Sequence, residues 1–343
     1  MKAGVFFEHG NVDKIQVIND FPVPAISPTE VLVKIKAAGL NHLDIWVRMG
    51  AGAYQTPMPH IGGCEGSGIV EQVGEFVTQF NPGDEVIISP GQPCFTCEYC
   101  RSGEESTCSN WKIFGAHTQG AFAEYASVPA MHLIPKPKTL SFEKAAAFPL
   151  TYMTAWHLLL GKARLKAGET VLIVGASSGI GTAGIQIAKL TGARVIAGTS
   201  DESKHSLCRE LGADEVVDTK DPLFSEKVRA LTGGRGVDVV FEHVGPATFE
   251  QSLKSLDKNG RLAICGVTTG PVTNLDIRLL FSRQLEVHGS MLGTRNELIK
   301  LAGLMEQGVL EPRIHTVLPL AQLAEAQSMM ESRQHTGKIV IQI

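Results

Sequence analysis

No run of this sequence stays apolar for long enough to cross a membrane. The richest candidate, Ala145–Leu160, contains Pro149 and His157 and falls short of the roughly 20 residues a helical span needs. Met1–Gly10 has no charged segment leading into an apolar core, which argues against secretion and for a cytoplasmic protein. Basic blocks are also missing: 31 lysines and arginines face 35 acids, for a formal net charge of −4. Nucleic acid and anionic membranes are therefore poor partners. There is neither an internal repeat nor a low-complexity tract. What remains is a chain of 343 residues, 43% hydrophobic and 19% charged, with the length and composition of a globular protein of two domains.

Cysteine is sparse except in one place. Cys94, Cys97, Cys100 and Cys108 share a short polar segment with the spacing C-x2-C-x2-C-x7-C, while Cys64, Cys208 and Cys265 are scattered. Four thiolates fill the tetrahedral shell of a zinc ion and leave no position for water or substrate, so such an ion is structural. Two disulfides, or four free thiols, are the alternative reading. The reduced thiols that zinc needs agree with a cytoplasmic location.

Two patterns divide the chain near Pro149. Before it, short strands alternate with glycine-rich turns: Val31–Ala37, a strand running on from Gly62, Gly63, Gly66 and Gly68, the turn Asn81–Asp84 before Glu85–Ser89, and a strand opening at Gly120–Tyr125. This predicts a partly open β-barrel. After it, Val171–Val174, Arg194–Ala197, Glu215–Val217, Val237–Phe241 and Arg261–Cys265 alternate with helical segments. That rhythm requires a parallel sheet with helices on both faces, a doubly wound α/β fold. A helix to Gln307 and a strand Lys338–Ile343 follow, and the tail is expected to rejoin the first domain.

The strand Val171–Val174 runs into Gly175-Ala176-Ser177-Ser178-Gly179-Ile180-Gly181, where a helix begins. Small residues there let a pyrophosphate approach the backbone, and the helix N-terminus favours its charge. Ala176 and Ser178 replace the first two glycines of G-x-G-x-x-G; Gly181 keeps the third. At the end of the next strand an acid would bind the ribose hydroxyls of NAD, but Thr199 and Ser200 stand there, with Lys204 one helical turn further. NADP is favoured over NAD, with Asp201, about two positions late for the ribose contact, as the counter-argument.

Taken together, Gly62–Gly68, the turn Pro82–Val86, the four-cysteine lobe, Gly120–Tyr125 and the phosphate turn resemble the medium-chain dehydrogenase/reductase superfamily of zinc alcohol dehydrogenases and quinone oxidoreductases, over essentially the whole length. The resemblance implies a GroES-like catalytic domain (residues 1–152 and 290–343, the zinc lobe at about 91–112) and a Rossmann domain (153–289). It also implies homodimers or homotetramers, built through the segment near Leu275–His288. In the family's zinc enzymes, Cys, His and Cys hold a catalytic ion; the matching places here carry Asn41, Cys64 and Leu150, so a standard catalytic zinc is not expected. By the same resemblance His42 falls where a basic residue meets the pyrophosphate. Thr154, Val267, Met291 and Gly293 fall near the nicotinamide.

Without zinc to act as Lewis acid, hydrogen-bond donors must stabilise the charge that hydride addition creates. The first expectation is NADPH-dependent reduction of an activated carbonyl, enone or quinone, with Asn41 donating to the oxyanion and His42 or solvent supplying the proton. A zinc alcohol dehydrogenase with an atypical metal bound through Cys64 and Glu65 is the second. A non-catalytic dinucleotide-binding protein is the third. The substrate pocket is expected from loops such as 48–59 and 279–292.

Overall fold

The computed structural model describes residues 1–51, 54, 56 and 58–343; four positions of the expected pocket loop (52, 53, 55 and 57) lie outside the described residues. The chain divides into two compact units, Met1–Met153 with Thr294–Ile343, and Thr154–Gly293.

The first unit is built on a seven-stranded sheet. Along it lie Leu133–Pro135, Glu85–Ile88, Gly66–Val73, Glu30–Gly39, Lys338–Gln342 and Ile314–Pro319, with Tyr125–Pro129 joined to Glu30–Gly39. Glu30–Gly39 is ten residues long, enough to take two partners along one edge: Tyr125–Pro129 pairs with Glu30–Lys34, and Lys338–Gln342 with Ala37–Gly39. Its inward residues Val31, Val33 and Ile35 alternate with outward Lys34, in the two-residue period of a strand with one face buried. Val86, Ile88, Phe122, Leu133, Ile339 and Ile341 complete the same core. The strand expected from Gly120 begins later, at Tyr125, because Ala121 and Phe122 spend their amides on the carbonyls of Gly63 and Gly62.

The second unit carries a six-stranded sheet: β1 Thr170–Val174, β2 Arg194–Thr199, β3 Glu215–Asp218, β4 Val237–Glu242, β5 Leu256–Ile264 and β6 Glu286–Gly289. Every pairing is parallel and the order is β3-β2-β1-β4-β5-β6, the Rossmann order whose switch point lies between β1 and β4. β1 is buried at all five residues, as a strand covered on both faces must be. Two features go beyond the sequence reading. β5 starts five residues early, through polar Asp257–Gly260, and β6 is a sixth strand of only four residues. β6 forms an edge of the sheet, and Val272, Ile277 and Phe281, which precede it, are more than 60% exposed. Among the described residues, no helix is long and apolar enough to cross a membrane.

Candidate active site

Three strand ends converge on Asn41. Glu30–Gly39 stops two residues before it, and Val340 faces Gly39 in the neighbouring antiparallel strand. The same register carried two steps on puts Lys338 opposite Asn41. On the other side Ala38 faces Gly66, so Glu65 falls opposite Gly39. Gly39 has no side chain to obstruct it: a Cβ there would lie 2.6 Å from the Glu65 carboxylate and 2.4 Å from the carbonyl of Ala146.

The result is a buried, fully connected cluster. Glu65 is entirely buried, Lys338 is 3% exposed and Asn41 6%. The Lys338 ammonium donates to Glu65 Oε1 (2.7 Å), Asn41 Oδ1 (2.6 Å) and the Leu40 carbonyl (2.8 Å). Asn41 Nδ2 donates to Glu65 Oε1 at 2.8 Å and, more weakly, to the Gly39 carbonyl at 3.4 Å. Glu65 Oε2 accepts from the backbone N–H of Leu150 at 2.6 Å, in the first turn of helix Pro149–Trp156, where a helix dipole welcomes a negative charge.

Beside it lies a second carboxylate. Asp44, in the first turn of helix His42–Met49, accepts from Asn41 N (2.8 Å), Gly63 N (3.1 Å) and the Cys64 thiol (3.1 Å). Burial pushes its pKa up to about 6, against the pull of these donors and of the Lys338 charge. Cys64 is wholly buried, and its thiol is held well above its ordinary range by burial and by the neighbouring Asp44 charge. A thiol so disposed is a hydrogen-bond donor at neutral pH, not a thiolate. His42 stands edge-on to Trp46, ring centroids 5.0 Å apart.

The four clustered cysteines do come together. Their ligand atoms all lie within 4.8 Å of one another, with Sγ–Sγ separations of 3.5 Å for Cys97–Cys100, 3.8 Å for Cys97–Cys108 and 3.5 Å for Cys94–Cys108. Zn–S bonds of about 2.3 Å in a tetrahedron require sulfurs about 3.8 Å apart, so the donor set fits zinc. Among the described residues this is the only group of three or more potential ligands within such reach. Cys64 and Glu65 belong to no such group, since their polar atoms are turned to Asp44 and Lys338.

In the second unit the turn Gly175–Ser178 joins β1 to the helix Gly179–Leu190. Ser178 caps helix Gly179–Leu190 by accepting from Gly181 N (3.0 Å). A Cβ on Gly181 would come within 2.3 Å of the Gly175 carbonyl, so the turn closes tightly only with glycine there. Ala176, Ser178, Gly179 and Ile180 follow β1; Thr199 ends β2 and Ser200 follows it; Val267 follows β5; Met291 and Gly293 follow β6. All therefore lie at or just beyond the C-terminal ends of parallel strands, where open α/β sheets bind their ligands. Thr154 is buried. Lys204 ends the turn Glu202–Lys204, and Asp201, which caps it, holds the N–H (3.0 Å) and hydroxyl (2.7 Å) of Ser203.

Sequence reading passes over three residues. Lys338 opens an otherwise apolar strand, and its partner Glu65 is 273 positions away; the one available signal is that a lysine in a buried strand demands an acid. Glu242, wholly buried at the end of β4, accepts from Val244 N, Gly245 N, Thr248 Oγ1 and Ser252 Oγ. It thereby shapes the loop that places His243 across the switch point, 3.4 Å from Ser178 Oγ. Burial lowers the pKa of that imidazole.

Comparison with known proteins agrees with this geometry. A family model described as zinc-binding dehydrogenase matches residues 179–307, and one described as alcohol dehydrogenase GroES-like domain matches residues 27–138. The crotonyl-CoA carboxylase/reductase of Cereibacter sphaeroides is 34% identical, over 95% of this chain and 83% of its own. The quinone oxidoreductase of Mus musculus is 30% identical, over 99% and 97%. A solved NAD-dependent alcohol dehydrogenase superposes with a TM-score of 0.96 at 44% identity, covering 100% of both chains. A crotonyl-CoA carboxylase/reductase in complex with NADP gives 0.92 at 27%, covering 100% of this chain and 95% of that one. Relatives named for oxidoreductase activities along almost the entire chain do not favour a non-catalytic dinucleotide-binding protein. The pairing of Glu65 with Lys338 does not favour an atypical metal.

Proposed function

The chain belongs to the medium-chain dehydrogenase/reductase superfamily and is an oxidoreductase, and we propose that it passes a hydride from NADPH to an activated carbonyl, a conjugated enone or a quinone. The observation that carries this reading is the Lys338–Glu65–Asn41 cluster. The three places that hold a catalytic zinc in the family's zinc enzymes carry an amide, a protonated buried thiol and a leucine, and the adjacent acid is neutralised by a lysine. Acceptors that spread their own charge need the least help from such a site. The crotonyl-CoA and quinone reductases among the relatives act, by name, on acceptors of that kind.

Bound nicotinamide supplies the hydride. Ala176, Ser178, Gly179, Ile180 and Gly181 receive the pyrophosphate on the helix N-terminus, with His42 as its basic partner. Thr199, Ser200 and Lys204 take the 2′-phosphate; Asp201 is occupied by Ser203. Thr154, Val267, Met291 and Gly293 flank the nicotinamide. As charge grows on the acceptor oxygen, Asn41 donates its second Nδ2 hydrogen, the one with only the distant Gly39 carbonyl for a partner. A preorganised donor of this kind is worth roughly 3 kcal/mol. His42 or solvent supplies the proton. Cys94, Cys97, Cys100 and Cys108 hold a structural zinc in a reducing, cytoplasmic compartment. The exposed edge strand β6, with Ile277 and Phe281 before it, joins two copies into a homodimer or homotetramer.

NAD is the competing cofactor, because the structural relative at 44% identity is named NAD-dependent. Steady-state assays on a panel of enones, quinones and aldehydes with each cofactor decide the matter. NADPH should be used at least about tenfold more efficiently than NADH, and Lys204→Ala should erode that ratio. Equal use of both would retire the 2′-phosphate role. Turnover confined to simple alcohols and ketones would retire the acceptor class. Metal analysis should find one zinc per chain, lost in Cys97→Ser.

A further inference from the structure

We infer that Lys338 is a positioning residue for the reaction: its ammonium fixes which end of the Asn41 amide faces the acceptor. This rests on the proposed role of Asn41 as donor. A primary amide is nearly symmetric in shape, so packing alone holds its oxygen and nitrogen ends in either order. Chemistry breaks the symmetry here. The ammonium of Lys338 can only donate, and it lies 2.6 Å from Oδ1. The carboxylate of Glu65 can only accept, and it lies 2.8 Å from Nδ2. Reversing the amide would set the lysine against an NH2 group and the carboxylate against an oxygen, two repulsive contacts in place of two charge-assisted bonds.

Lys338 itself is held from three sides, by Glu65 Oε1, Asn41 Oδ1 and the Leu40 carbonyl, which uses all three of its protons. A compact ammonium suits this trio; the planar fork of an arginine does not. The same cation neutralises Glu65 where a bare carboxylate would otherwise face the oxyanion. One residue at the far end of the sequence thus sets both the direction of the donor and the charge behind it.

The test uses the full-length protein with selectively 15N-labelled asparagine, the side-chain signal of Asn41 being assigned by its loss in Asn41→Ala. Lys338→Met removes the ammonium but strands Glu65. The pair Glu65→Gln/Lys338→Met removes both charges together and serves as the variant that folds. In the double variant the Asn41 amide protons should exchange with solvent at least about tenfold faster than in the wild type, since neither neighbour any longer dictates orientation. In NADPH-dependent enone reduction kcat should fall by about tenfold or more, with the KM for NADPH unchanged. Unaltered exchange overturns the inference, whatever the turnover. Exchange that rises while kcat holds, with Asn41→Ala still impaired, also overturns it and leaves the proposed reaction standing. If Asn41→Ala is itself unimpaired, the reading of Asn41 fails and the inference falls with it.

Discussion

Glu65 and Glu242 are both wholly buried carboxylates, one in each unit, and they are satisfied in opposite ways. Glu242 is surrounded by neutral donors from the ten residues that follow it: two backbone amides and the hydroxyls of Thr248 and Ser252. Glu65 takes a cation from 273 residues away, an amide side chain from 24 and a backbone N–H from 85. A local network spreads a charge over many dipoles and survives the loss of one. A distant ion pair concentrates the compensation in a single partner, and removing that partner leaves an uncompensated charge in a dry interior.

Three experiments press on this contrast. Glu65→Ala, which leaves the Lys338 ammonium without its counter-charge, should cost about 3–5 kcal/mol in urea unfolding of the first unit; a loss near 1 kcal/mol would mean that water reaches the lysine. Asp44 offers an intermediate case, with three donors and burial outweighing them. Its folded pKa of about 6 exceeds the ordinary 3.8, so the fold prefers the protonated acid. That preference stabilises fully below about pH 4 and is lost as pH rises through about 6, a swing on the order of 2–3 kcal/mol. Thermal unfolding followed from pH 4 to 7 should show the decline in the wild type and lose it in Asp44→Asn; parallel curves would assign the slope to other groups. Ser252→Ala should be the mildest, about 1–2 kcal/mol, because three donors stay on Glu242. If it matched Glu65→Ala, the two networks would not differ in kind.

The same distinction explains what the sequence made legible. The alternation of strands and helices from Thr170 onward is a local pattern, so the Rossmann sheet could be read strand by strand as far as Ile264. The four-cysteine cluster was equally plain, because its members lie within fifteen residues of one another. The turn at Gly175–Gly181 carried its meaning in its spacing. β6 was not legible: Glu286-Val287-His288-Gly289 has no alternation, and its strand character comes from pairing with β5. The polar start of β5, Asp257–Gly260, carries no strand pattern either, and Asn259 within it has φ of 59°. At the candidate active site, Asn41, Cys64 and Glu65 could be singled out from motifs. The lysine that organises them could not, since no periodicity links positions so far apart. His243 was hidden differently, since only the strand order brings β4 alongside β1.

Lys338–Gln342 lies between Glu30–Gly39 and Ile314–Pro319, in the interior of the first sheet. A ribosome emits it some 185 residues after Met153, a delay on the order of ten to forty seconds at ordinary elongation rates. Until then the first sheet lacks one of its interior strands, and Glu65 lacks the cation that compensates it. The six strands of the second unit all fall within Thr170–Gly289, so none of them waits for the C-terminal strand to be translated. The unit whose first residues leave the ribosome earliest is therefore the one whose sheet is complete only after the other unit has been translated, and the strand that completes it also carries the Lys338 ammonium to Asn41.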